Sequence, residues 1–372
     1  MRALFVASPM VGHVLPLVPL ALAFRDAGHD VLVATAEDGV GAARGVGVAV
    51  RDVAPGLDVQ RTLLRALLPH PIRMRHVLAG DDGTASLGCT FAPLAERMTE
   101  RTVALADAWR PGLVLHEGLA PLGALVAARL GVPAVLVDAL VFDGRELSSA
   151  VTPRLAGLAR RYGVDAIPGP ADAVVAVPAS LVGRRRGRPM RYVPAPRGGD
   201  GHTSLPTSGT RPVVLVSRST VADPRPDRMT PRVVAAARGA EVDVVLVRPA
   251  RRVARRPLPA NVTVTGWVPF ADVLPRVAGM VHHGGAGSVL SALAAGVPQV
   301  VVPGAGDRTV HARLVAARGA GLAVPAREIT TATLERVVGD PVLRRNAQEV
   351  AAEIAAMPPP ADLVEPLVAL AR

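Results

Sequence analysis

The chain has 372 residues, half of them hydrophobic but only 2% aromatic, with a net charge of +11 and a single cysteine, Cys89. That length holds two domains of ordinary size, whose cores must be built from Ala, Val and Leu. One cysteine excludes an internal disulfide and fits a reducing cytoplasm, and no run of 18 apolar residues offers a membrane span.

The positive charge favours anionic partners such as nucleotides or phosphates. It comes entirely from arginine and is scattered, apart from GRRRGRPMR (183–191), which reads as a solvated loop. No zinc-finger spacing or RNA-binding aromatic signature accompanies it, so nucleic acid is not an expected partner.

Residues 2–8, RALFVAS, form a short apolar run without alternation, as for a strand buried on both faces. PMVGH (9–13) reads as a loop and PLVPLALAFRDAG (16–28) as a helix closed by Gly28. DVLVATA (30–36) is the next strand, which completes a βαβ unit and implies a parallel sheet. SPMVGH (8–13) interrupts the apolar N-terminus and no small-residue cleavage site follows, so a signal peptide is not expected.

The same grammar returns twice. GLVLHEG (112–118) reads as strand and loop, 119–131 as a helix ending in glycine, and VPAVLVDAL (132–140) as a strand. GMVHHGG (279–285), AGSVLSALAAG (286–296) and VPQVVVPG (297–304) repeat strand, loop, helix, Gly-Val-Pro and strand. The repeat suggests two α/β domains of similar build; a chance likeness between two βαβ units is the alternative. Between them, 193–212 is dense in Gly, Pro, Ser and Thr, and a second βαβ series follows with 213–217, 241–247 and 261–267. The expected division is a first domain over 1–196, a linker over 197–208 and a second domain over 209–356. A tail over 357–372 would be a helix packing back on either domain. The fold class is therefore α/β, with two Rossmann-like doubly wound domains facing a central cleft, where ligands bind at the carboxyl ends of the strands.

Residues 281–290, VHHGGAGSVL, are the most informative stretch. As a metal site they are weak: His282 and His283 are adjacent, so on a strand they point to opposite faces, and no further ligand follows nearby. As a dinucleotide fingerprint, GGAGS lacks the GxGxxG spacing. What remains is a glycine-rich strand-to-helix turn. Its backbone N–H groups and helix dipole suit a diphosphate, with Ser288 to donate a hydroxyl or cap the helix and His283 to donate a ring N–H. An ordinary capped turn is the competing reading.

HHGGAGSVLSALAAGVPQVVVP, with Asp307 after it, resembles the nucleotide-sugar motif of family 1 glycosyltransferases with the GT-B fold. The nearest likeness is to bacterial enzymes that decorate polyketide, enediyne and other antibiotic aglycones. TGWVPFADVLPRV (265–277) resembles the family's nucleobase segment, and SPMVGHVLPLVPLALAFRDAGHDV its acceptor-side start. The resemblance implies roles residue by residue. His283, with the Gly285, Ala286 and Gly287 backbone and Ser288, would bind the donor diphosphate. Trp267 would lie by the base and the Val268 backbone at its edge. Asp307 would hold sugar hydroxyls, and His13 would be the general base. Glu117 is the candidate to orient His13, where the family more often has Asp.

The residue types suit inverting sugar transfer from a nucleoside diphosphate, since a histidine base works near its own pKa and a carboxylate steadies it. The chain has no Asp-x-Asp, the pattern expected of a metal-dependent sugar transferase, so no metal and no cofactor are expected. The donor, by resemblance a dTDP-linked deoxysugar, is a co-substrate. The acceptor would be a hydrophobic aglycone, in a pocket walled by loops around 55–95 and 138–150, with Phe91, Phe142 and Met74 as candidate lining.

Two departures stand out. Arg308 replaces the family's glutamine beside Asp307, at the sugar, where it could pair with Asp307 or with a phosphate. VSRST (216–220) replaces a glycine-threonine turn, leaving Ser219 and Thr220 to reach the phosphate. Two other readings stay open: a nucleotide-sugar epimerase of similar architecture, and a non-catalytic helper that keeps the nucleotide site. A homodimer is equally open, because oligomeric state has no local signature here.

Overall fold

Apolar runs without alternation become parallel strands covered on both faces. The computed structural model describes residues 1–80, 83–196, 205, 211–219 and 226–371. Among them, two all-parallel sheets form. The first contains β1 (Arg2–Val6), β2 (Asp30–Thr35), β3 (Val50–Asp52), β4 (Leu113–His116), β5 (Ala134–Asp138), β6 (Asp172–Val175) and β7 (Arg188–Pro189). The second contains β8 (Val213–Ser217), β9 (Asp243–Val247), β10 (Val262–Thr265), β11 (Gly279–His282), β12 (Gln299–Val301) and β13 (Gly321–Ala323).

The strand orders are β3-β2-β1-β4-β5-β6-β7 and β10-β9-β8-β11-β12-β13. Each begins in the middle, winds outward, then crosses over and winds the other way, which is the doubly wound α/β class read from the sequence. The direction reverses between β1 and β4 in one sheet and between β8 and β11 in the other. A crevice opens there at the carboxyl ends of the strands.

The repeated units occupy equivalent places, β4–β5 and β11–β12. Gly131 and Gly296, at φ 67° and 65°, end their helices in the left-handed conformation that glycine adopts without a Cβ penalty. The valine after each donates back into the helix: Val132 N–H to the Ala127 carbonyl at 3.0 Å, and Val297 N–H to the Ala292 carbonyl at 2.9 Å. The proline then gives its carbonyl to the sheet, Pro133 to Val114 N–H and Pro298 to Met280 N–H. Proline's missing N–H costs nothing here, since only its acceptor is used.

The two halves are joined at several places. Val141, Leu181 and Tyr192 of the first half share a buried cluster with Val289, Leu290 and Ile354 of the second. The Tyr192 hydroxyl lies 3.3 Å from both the Gly287 carbonyl and Ser291 Oγ. After the helix Pro341–Ala356, Leu363, Val364 and Leu367 of the C-terminal segment pack into the core of the first half beside Leu17, Leu20 and Phe24. Residues 357–371 thus return to the N-terminal half. Across the crevice mouth, Gly306 N–H donates to the Val77 carbonyl at 2.8 Å, tying the helix Pro71–Ala79 to the loop before Asp307.

Several expectations are corrected. Residues 9–13 are not all loop: Val11–Val14 is a helical turn, running through Leu15–Leu17 into the helix Val18–Asp26. The 55–95 region is mostly helical, over Val59–Leu67, Pro71–Ala79 and the start of Thr84–Trp109. The 183–191 run is not simply solvated, for Arg188–Pro189 pairs with β6 and the Arg185 side chain is only 8% exposed. Apart from Leu205, the 197–208 linker lies outside the described residues. Among those residues, no single helix is long and apolar enough to cross a membrane.

Candidate active site

The helical turn Val11–Val14 after β1 and the loop after β4 flank the first crevice, and each brings one member of a hydrogen-bonded pair. His13 Nδ1 lies 3.1 Å from Glu117 Oε2. Glu117 is 2% exposed, so its charge must be satisfied locally. Ser8 N–H and Ser8 Oγ donate to its Oε1 at 3.0 and 2.6 Å, and Leu119 N–H donates to its Oε2 at 2.8 Å. Charge-assisted bonds of this kind contribute about 1.5–3 kcal/mol each. Burial pushes the Glu117 pKa up, but His13 and these donors together outweigh it, and the carboxyl stays below its ordinary 4.5.

Because a carboxylate only accepts, Nδ1 of His13 carries a proton and Nε2 presents its lone pair. Burial pulls the His13 pKa down. The charge and hydrogen bond of Glu117, with a further push from Asp307, overcome that, so the net shift is upward from 6.5. The Asp307 carboxylate belongs to the other domain, so its effect on His13 spans the crevice.

The opposite wall begins at β11. His282 is fully buried: Nε2 lies 2.7 Å from Gln299 Oε1, and Nδ1 accepts from Gly284 N–H at 3.1 Å. Burial holds it neutral, with a pKa near 4. It is structural, pinning a glycine at φ 84°. His283 turns the other way, toward the crevice. Its Nδ1 lies 3.5 Å from the Ser217 carbonyl and therefore carries the proton. Burial first, then the nearby Arg308, drive its pKa well below 6.5. A side chain on Gly285 would reach within 2.5 Å of His283 Nε2, so the glycine leaves room for the ring. The following helix, Ala286–Ala294, is capped by Gly285 rather than by Ser288, which sits in its first turn.

Asp307 and Arg308 open the helix Arg308–Arg318. Arg308 Nη2 donates to Ser219 Oγ at 3.2 Å. Trp267 is half exposed after β10, with the Arg248 guanidinium 5.4 Å from its ring centroid, while the Val268 side chain is buried beneath.

These walls enclose one cavity of about 930 Å³. It brings together His13, Trp267, Val268, His283, Gly285, Ala286, Gly287, Ser288, Asp307, Arg308 and Ser219. Glu117 lies beneath His13 rather than on the cavity wall. Thr220 lies outside the described residues. Part of its lining is apolar, with Leu63, Leu67, Leu87, Phe91 and Phe142 on the wall. Met74, an expected lining residue, does not reach it, because the helix Pro71–Ala79 turns Val77 inward instead.

Three contributors are missed by sequence reasoning. Ser8 holds Glu117, and nothing local distinguishes it from other loop serines. His311 is buried one helical turn after Asp307; its Nδ1–H donates to the Gly284 carbonyl at 2.6 Å, and its ring lies 6.0 Å from Phe142. The i, i+4 spacing from Asp307 is the signal that could have found it. Arg185 bonds Asp138 at 3.0 and 3.1 Å and the carbonyls of Leu140, Val141 and Phe142, fixing the acceptor-side loop. Desolvation raises Asp138 to about 6 even so.

Two facing Rossmann-like domains, with a carboxylate-bound histidine on one wall and a glycine-rich helix start on the other, define a GT-B glycosyltransferase. Comparison with known proteins places the chain within that class. The family described as Erythromycin biosynthesis protein CIII-like matches with its N-terminal domain over residues 22–178 and its C-terminal domain over 231–370. Elloramycin glycosyltransferase ElmGT of Streptomyces olivaceus is 35% identical over 98% of this chain and 96% of its own length. L-demethylnoviosyl transferase of Streptomyces niveus is 32% identical over 100% and 99%. Among solved structures, the glycosyltransferase SnogD from Streptomyces nogalater superposes with a TM-score of 0.82 at 30% identity, covering 100% of this chain and 99% of its own. SsfS6 of Streptomyces sp. SF2575, complexed with thymidine diphosphate, gives 0.84 at 30%, covering 99% of both chains. The chain belongs to this family of glycosyltransferases of antibiotic biosynthesis.

Proposed function

We propose that the protein transfers a deoxysugar, with inversion and without a metal, from a dTDP-sugar to a hydrophobic natural-product aglycone. One observation carries the reading: a single cavity has His13 Nε2 on one wall and His283, Ser288 and Asp307 on the other. The thymidine diphosphate bound by SsfS6, and the spinosyn aglycone bound by the rhamnosyltransferase SpnG at 26% identity, support the two ligand classes.

In this reading the diphosphate lies on the 283–288 turn, the base beside Trp267, and the sugar between Asp307 and His13. The acceptor X–H group enters from the apolar side. His13 Nε2 takes its proton as the acceptor atom bonds to the anomeric carbon, and Glu117 stabilises the imidazolium that forms. The bond from the anomeric carbon to the phosphate oxygen breaks, and its electron pair leaves with the diphosphate. Attack from the His13 wall, opposite the diphosphate, inverts the anomeric centre. Helix dipole, backbone N–H groups and cationic side chains meet the developing charge. The apolar wall favours transfer over epimerisation, which needs no aglycone site. A nucleotide-sugar donor and a lone cysteine fit a cytoplasmic reaction.

The test is incubation with dTDP-glucose and a panel of polyketide aglycones, following dTDP release. Release that requires an aglycone and is lost in His13→Ala supports the reading. Aglycone-independent turnover of the sugar nucleotide would refute it.

A further inference from the structure

Arg308 stands where a sugar-side glutamine is expected, and its side chain lies against two glycines and a serine. It folds back over the glycine turn: a Cβ on Gly284 would lie 3.2 Å from Arg308 Cβ, and one on Gly304 would lie 3.2 Å from Arg308 Cδ. The guanidinium then donates to Ser219 Oγ at 3.2 Å. Ser219 is two residues past β8, on the segment where the glycine-threonine turn is missing. Arg308, Ser219, His283 and the Gly285–Ser288 turn all line the cavity, and in the donor-site reading they form its diphosphate end.

That end needs positive charge, and His283 does not supply it in the free protein. Its Nδ1–H is directed at the Ser217 carbonyl, which leaves Nε2 as an acceptor. An arginine stays charged at any working pH and offers a planar fork matched to phosphate oxygens.

We propose that Arg308 binds the β-phosphate of the donor, not its sugar, and makes up for the glycine missing from the sequence VSRST at 216–220. The two departures from the family pattern then compensate each other. The proposal rests on the donor-site reading above. Once the bond to the anomeric carbon breaks, the β-phosphate carries one more negative charge, so the arginine's attraction grows along the reaction.

Calorimetric binding of dTDP and dTMP to the wild type, Arg308→Gln and Arg308→Lys tests it. The glutamine variant should bind dTDP at least tenfold more weakly and dTMP nearly as the wild type does. The lysine variant should recover part of the loss, and dTDP-glucose should lose the same factor as dTDP. Thermal melting of both variants checks that they are folded. If Arg308→Gln binds dTDP within twofold of wild type but raises KM for the sugar nucleotide, Arg308 belongs to the sugar and the proposal falls. Equal weakening of dTDP and dTMP also overturns it. A wild type that fails to bind dTDP defeats the donor-site reading itself, an outcome visible without any variant.

Discussion

Glu117 and His283 occupy the same position in the two domains. Each is the first residue after the fourth strand of its half: β4 ends at His116 and β11 at His282, with a glycine following both. The registers agree, since His116 pairs with Val6 of β1 and His282 with Ser217 of β8. Two residues beyond those partners lie Ser8, bonded to Glu117, and Ser219, bonded to Arg308. One topological slot thus holds a carboxylate bonded to His13 in one half and a ring beside the glycine-rich turn in the other.

His13→Ala should lower kcat by about 10²- to 10⁴-fold, the usual contribution of a general base, while dTDP affinity stays unchanged. Steady-state kinetics with parallel dTDP calorimetry checks this. A retained rate would remove His13 from the mechanism.

Glu117→Gln should move the acid limb of the kcat/KM profile. The base works when neutral, so the rate rises with pH through the His13 pKa, which lies above 6.5 in the wild type. Removing the carboxylate removes most of what raises that pKa and leaves burial, which lowers it, opposed only by the smaller push from Asp307. The limb should shift to lower pH and the plateau fall, because the imidazolium loses its partner. An unshifted limb would separate Glu117 from His13.

Donor binding should take up a proton. His283 is neutral in the free protein, and a diphosphate beside it favours the charged form. Affinity should therefore weaken as pH rises through the pKa that His283 has in the complex. Calorimetry in buffers of different ionisation enthalpy reads the uptake directly, and His283→Ala should abolish it.

Gly285→Ala isolates the cradle from the fold. The backbone at Gly285 has φ −66° and ψ 142°, which alanine adopts freely, but its Cβ would lie 2.5 Å from His283 Nε2. The ring must move, and dTDP affinity should fall about tenfold, or ~1.4 kcal/mol. The melting temperature should change little. Equal affinity would show that His283 does not contact the nucleotide.

Arg185→Met should destabilise the protein by about 3–5 kcal/mol at neutral pH, the cost of leaving a buried carboxylate unpaired. The sign depends on pH. Asp138 already has its folded pKa raised to about 6, so in the wild type stability falls as pH rises from the ordinary 3.8 to about 6, where the unfolded carboxyl ionises before the folded one, and is level above that. Without the arginine the pKa rises further. The loss of stability relative to wild type, read by denaturant melts, should be smaller at pH 5 than at pH 8. Acceptor KM should rise as the 140–142 loop loosens.

Much of the donor wall is legible in the chain because its parts are contiguous. His283, Gly285 and Ser288 lie within six residues, and the turn's chemistry is written in its spacing. The division of labour between His282 and His283 is legible too, since a strand alternates its faces. The cover of the acceptor side is less so. Helices over Val59–Leu67 and Pro71–Ala79 follow a sequence with mixed signals, and their place over the crevice depends on partners such as Gly306 and Thr309, about 230 residues away. Arg185 shows the same limit. Three of four consecutive residues at 183–186 are arginines, and only packing makes one of them a buried anchor while Arg184 and Arg186 stay in solvent.

By itself the sequence determined the local elements: buried parallel strands, glycine-ended helices, the glycine-rich turn after β11 and the repeated strand–loop–helix–strand unit. These follow from periodicity and backbone preference, which act over a few residues. The tertiary structure decided which distant groups meet. It set Glu117 with its hydrogen bonds under His13, turned Arg308 back onto Ser219, and carried the last helical segment to the first domain. Those outcomes depend on desolvation and charge, whose strength is fixed by what surrounds each group in space rather than by its neighbours along the chain.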